Sequence, residues 1–94
     1  LKEETSVPYI TQEKRPLYRK EIEALVKKLE EQPVNEQDGD VNYIVTSILK
    51  LLYKPRYFNY NRAIGVLEAI KQEYYRRVVA PYEDTKIKDN GDVP

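Results

Sequence analysis

Residues 57–93 read YFNYNRAIGVLEAIKQEYYRRVVAPYEDTKIKDNGDV, and the fold class turns on them. Ala63, Leu67, Ile70, Tyr74 and Val78 recur at spacings of three and four, with Ile64, Val66 and Tyr75 beside them. That period marks one face of a helix and predicts the longest helical run in the chain. Asn59 or Asn61 is the expected cap at its start, because an amide oxygen there can accept a backbone N–H that the first turn leaves over. Arg76 and Arg77 fall in its last turns, where positive charge suits the negative end of the helix dipole. Pro81 is expected to break or kink the rod, since it has no N–H and its ring meets the carbonyl four residues back. A short fourth helix, or a kinked continuation, fits Pro81 to Lys88, with Asn90-Gly91 as a left-handed stop.

Upstream, the same period appears twice more. Tyr18, Ile22, Leu25, Val26 and Leu29 make one stripe behind Pro16, which suits the first position of a helix of about 15 residues. Val41, Ile44, Val45, Ile48, Leu49 and Leu52 make a second stripe, widened by Leu51 and ending near Tyr53, ahead of Pro55. Between them Pro33 closes the first helix, Asn35 to Gly39 reads as a polar turn, and Asp38 or Asp40 is the expected cap of the second. No segment alternates with period two. The expected fold is therefore all-α, with three main helices and a short C-terminal helix after Pro81, in a small helical bundle. Residues 1–10 are expected to form a loosely ordered tail, and residues 11–94 a single helical domain.

Ninety-four residues give a thin core, since a chain of this size buries only about 60–65% of its unfolded surface. Cysteine and histidine are absent, which removes disulfides, thiolate chemistry, and the commonest metal ligand and general base. No export signal is evident and no apolar run approaches the ~20 residues of a membrane span, so the expectation is a cytoplasmic protein without a membrane partner. The net charge of zero hides a gradient. Residues 1–40 hold 7 basic and 10 acidic side chains (net −3), residues 41–80 hold 7 and 2 (net +5), and residues 81–94 hold 2 and 4 (net −2). A basic middle between acidic ends argues against general nucleic-acid binding and allows a local positive site.

The candidate ligand-binding residues cluster at both ends of the third helix: Tyr57, Asn59, Tyr60, Asn61 and Arg62 at one end, Arg76 and Arg77 at the other. Arginine forks onto phosphate, tyrosine stacks on bases, and asparagine reads a base edge. The competing reading is structural, with half-buried rings covered by arginine stems; Tyr74, on the core stripe, fits it best. Gly65, inside the helix, costs roughly 1 kcal/mol relative to alanine, which close approach of a neighbouring helix or of a ligand would offset. Catalysis finds no such support. All-helical nucleotide pyrophosphohydrolases hold magnesium on acidic residues three or four apart, whereas Glu68 and Glu73 are five apart and point in different directions. No catalytic residue, metal ligand or cofactor is expected.

VPYI at 7–10, DGDVNYIVT at 38–46 and YYRRVVAPYEDTKIKDNGDV at 74–93 resemble a family of small uncharacterised proteins of bacteria, archaea and phages, described as a domain of unknown function. The resemblance covers nearly the whole chain and is most specific over the RRVVAPYED…NGDV segment. It implies a self-contained protein, carried in some cases on phages, and it transfers no functional residue.

Two functional readings follow. The first is a non-enzymatic module that binds a small anionic ligand of nucleotide type, for example to sequester a nucleotide signal. The second is a structural or regulatory protein–protein module using the same arginine–tyrosine surface; a pyrophosphohydrolase-like enzyme stands third. A homodimer or higher homo-oligomer is expected, because three stripes, with Leu51, Val66 and Val79 outside them, offer more apolar surface than one thin core hides.

Overall fold

The structure is a computed structural model, and it describes residues 10–93. Of the expected tail, only Ile10 falls within the described residues. Helix α1 spans Pro16–Glu30, α2 Val34–Leu52, α3 Tyr57–Tyr74 and α4 Ala80–Asn90, with a π-helical segment at Tyr75–Val79 joining the last two. There is no strand among the described residues. The all-α class and the order of three main helices and a short fourth are as the periodicity predicts. Contacts divide the chain into two units, one ending at Lys54 and the other beginning at Pro55.

The first unit is a helical hairpin. Pro16 opens α1 as expected, and Lys27 and Lys28 occupy its last turn, facing the negative end of its dipole. Helix α2 starts earlier than the sequence suggests. Its first residue is Val34, so Asn35 to Gly39 is helix and not a turn, and neither Asp38 nor Asp40 caps it. Pro33 sets the boundary instead, held extended at ψ 142°, with its carbonyl taking the Glu36 N–H at 2.9 Å. The early start places Gln37 where its amide donates to the carbonyls of Leu29 (3.2 Å) and Gln32 (3.0 Å). Those carbonyls are left over by the end of α1, so one side chain of α2 closes the turn that precedes it.

In the second unit the connector is short. Tyr53 is extended, Arg56 precedes the helix with φ −155° and ψ 145°, and α3 begins at Tyr57. Asn59 and Asn61 therefore lie inside the helix and do not cap it, and Tyr57 and Tyr60 are helical residues, not loop residues. The expected break at Pro81 is also corrected. Helical geometry runs on from Tyr57 to Asn90, and the adjustment lies upstream of the proline. An α-helix would bring the Pro81 ring against the Arg77 carbonyl. A widened turn takes up the conflict: the Ala80 N–H reaches the Tyr75 carbonyl, five residues back. The stop at Asn90-Gly91 is as expected, with Gly91 at φ 90° and its N–H on the Ile87 carbonyl at 2.8 Å.

None of the described residues is buried. The half-buried positions of the hairpin concentrate on α2 and at the turn, namely Leu29, Gln37, Asp40, Ile44, Val45, Ser47, Leu49 and Tyr53. Ile22 (57% exposed), Ile48 (52%) and Leu52 (65%), all on the predicted stripes, remain open.

Candidate functional site

The sequence-predicted site residues all lie in the second unit, on the helical run from Tyr57 to Val79. They form two groups. At the start of α3, Arg62 donates to the Asn59 side chain at 3.1 Å and lies 6.0 Å from the centre of the Phe58 ring. Helical spacing explains both contacts, since residues three and four apart share a face. Asn59 is half-buried, whereas Tyr57, Tyr60 and Asn61 are exposed, Tyr57 at 79%.

The second group surrounds the π segment. Arg76 and Arg77 converge on one carboxylate, Glu73: Arg76 bonds to Oε1, and Arg77 bonds to Oε2 at 2.8 Å. The arginine side chains are each 65% exposed and that of Glu73 only 33%, so the acid is drawn in beneath the two guanidinium groups. Next to this fork the Tyr75 hydroxyl donates to Glu83 at 2.6 Å. These two residues are eight apart, which on an α-helix leaves them about 80° out of line. The widened turn absorbs one residue and returns them to the same side. The hydrogen bond to Glu83, then that residue's charge, pushes the Tyr75 phenol above its ordinary value.

The structure does not bring the two groups together. Arg62 and Arg76 are fourteen residues apart on one rod, about 21 Å at helical rise. The close approach expected at Gly65 is not made within the chain either, since a Cβ there would meet nothing within 4 Å. Glu73 is the residue that sequence reasoning undervalued. It was weighed as a magnesium ligand, yet its spacing of three and four from Arg76 and Arg77 already marks an ion pair. Glu68 is engaged likewise, accepting from Gln72 at 2.7 Å with Lys71 3.6 Å away; these two neighbours hold its carboxyl below the usual range. Among the described residues no group of three or more acidic side chains stands where a metal ion could be held. No helix among them is long and apolar enough to cross a membrane.

The profile of the family described as "Domain of unknown function (DUF6899)" matches residues 7–93. The chain belongs to that family. The DUF6899 match takes in both residue groups and the π segment between them. No curated protein and no solved structure matches the chain.

Proposed function

We propose that this DUF6899 protein is a non-catalytic helical interaction module that works as a homodimer or higher homo-oligomer, with the arginine–tyrosine helix as a contact surface. The absence of any buried residue among those described carries this reading. Three amphipathic helices whose apolar stripes stay open gain their stability when those stripes are covered, and association of chains covers them. The layout of the second unit favours an extended contact over a closed pocket. Its rings and arginines spread along one rod instead of converging, and exposed tyrosine and arginine are the residue types enriched at protein interfaces. Light scattering across micromolar to millimolar concentration tests the reading. A mass of two chains or more is expected, and a monomer throughout overturns it.

The fork on Glu73 favours a second reading, in which a nucleotide-type anion is held intact, as a sequestering protein in the cytoplasm would hold it. Two guanidinium groups already meet at a single oxyanion, and a phosphate that displaced Glu73 would meet the same arrangement. A thermal-shift panel of mono-, di- and cyclic nucleotides tests it, with Arg76→Ala against Lys27→Ala as the control pair. A rise in melting temperature that Arg76→Ala abolishes and Lys27→Ala keeps supports this reading. No rise with any nucleotide removes it.

A further inference from the structure

The hairpin offers the larger open apolar surface. Tyr18, Ile22, Leu25 and Leu29 on α1 are spaced four, three and four apart; Val41, Val45, Ile48 and Leu52 on α2 repeat the same spacing. This is the seam pattern of helices that pack side by side in bundles. The apolar arc of α2, from Leu51 round to Leu49, covers about 160° of its circumference, well beyond the roughly 100° that facing one neighbour requires. Helix α1 lies against only part of that arc. A groove of about 300 Å³ remains between the two helices, lined by Leu25, Leu29 and Ile44 with Lys28, Asp40 and Tyr43 among its rim residues.

Charge indicates what fits there. From Val41 to Tyr53 the single charged residue is Lys50, which falls on the side of α2 opposite the seam, so this face accepts an equally neutral one. Along α1 the seam is flanked on one side by Glu21 and Lys28, seven residues apart and both exposed. When two such helices run antiparallel, those flanking positions meet their own counterparts in exchanged order. Glu21 then faces a lysine and Lys28 a glutamate. A partner for α1 must present a positive group and a negative group in that order, and α1 itself does so.

We propose, building on the self-association above, that the hairpin is closed by the hairpin of a second copy. The product is an antiparallel four-helix bundle whose two-fold axis sets Glu21 of each copy against Lys28 of the other. Each helix of the bundle then has antiparallel neighbours on both sides, the up-and-down arrangement that short connections such as Gln32-Pro33 permit.

Charge reversal on the intact chain tests this without touching the seam. Glu21→Lys and Lys28→Glu, each alone, replace two attractions per dimer with two like-charge contacts. Each is expected to weaken dimerisation about tenfold in low salt, less at high salt. The double variant restores the pairs in mirror order and is expected to return the dissociation constant close to its original value. A dimer whose affinity ignores all three variants overturns this interface and leaves self-association standing on another surface. A double variant weaker than either single one also overturns it, because independent surface effects add where paired ones cancel. An unaltered chain that stays monomeric to millimolar concentration overturns the bundle and the self-association reading together.

Discussion

The two units treat a proline in opposite ways. At Pro33 the chain turns back and a new helix begins; at Pro81 the helix continues. In both places an α-helix would have lost the N–H that serves the carbonyl four residues earlier. At Pro33 that carbonyl belongs to Leu29, which takes the Gln32 N–H at 3.0 Å and the Gln37 side chain at 3.2 Å, so a turn satisfies it fully. At Pro81 the conflict falls after a long amphipathic run, and one extra residue in a widened turn relieves it without ending the helix. A proline thus fixes where helical register must change. Which side-chain and backbone groups are at hand decides whether the chain turns or only slips by one residue.

The largest expected effect attacks this contrast directly. Pro81→Ala restores the missing N–H and removes the ring, so the widened turn should close into ordinary α-helix. Unfolding free energy is expected to rise by about 1–3 kcal/mol in denaturant titration. Closing the turn also rotates α4 by about 100° against α3, which carries Glu83 away from Tyr75. If stability is unchanged and the Tyr75–Glu83 pairing survives, the proline is not what holds the widened turn open.

A smaller effect is expected at the two helical glycines, one in each unit. Neither Gly39 nor Gly65 would place a Cβ within 4 Å of anything in the chain. Alanine at either position should therefore stabilise the isolated chain by about 0.5–1 kcal/mol. The comparison sharpens when association is measured alongside. A Gly65→Ala variant that is more stable but associates less marks Gly65 as a point of close approach between chains. Equal behaviour at the two positions makes the glycine of α3 an ordinary one.

The fold was readable wherever apolar side chains set the period, and misread where polar residues suggested a turn. All three stripes and Pro16 at the start of α1 lie where spacing put them. Asn35 to Gly39, Asn59 and Asn61 carry the residue types of turns and caps, yet they are helical. For the first of these segments the reason is Gln37, whose contacts with α1 outweigh weak local propensity and cannot be seen in a local window. The site was legible in the same partial way. The spacing of Glu73 from Arg76 and Arg77 is visible in the sequence. The alignment of Tyr75 with Glu83 is not, because it depends on a slip of one residue that no periodicity reports.

Gln37 itself provides a test of the hairpin's turn. Gln37→Ala removes both bonds to the end of α1 and leaves the exposed faces untouched. A loss of about 1 kcal/mol is expected, with faster hydrogen exchange in the first turn of α2. An equal loss from Gln72→Ala, whose amide serves only the exposed Glu68, would mean that the turn gains nothing particular from Gln37.

The smallest effect concerns Tyr75, and it reads the widened turn through a proton. Its hydroxyl donates to Glu83, so the protonated phenol is favoured in the folded chain and its pKa stands above the model value of 10.0. The sign follows from linkage. Below the unfolded value both states keep the proton, and the contribution of the pair is fully present. As pH rises past that value the unfolded chain releases the proton more readily than the folded one, and the contribution is lost through the folded pKa. Both side chains are exposed, so the effect on stability is slight and the absorbance of the phenolate is the better measure. One of the nine tyrosines should ionise later than the rest. Glu83→Gln should bring it back toward the others, since the amide carries no charge to oppose the phenolate. Pro81→Ala should do the same from a distance, by turning Glu83 out of reach. If Glu83→Gln shifts the titration and Pro81→Ala does not, Tyr75 and Glu83 meet without the one-residue slip, and the contrast between Pro33 and Pro81 rests on something other than register.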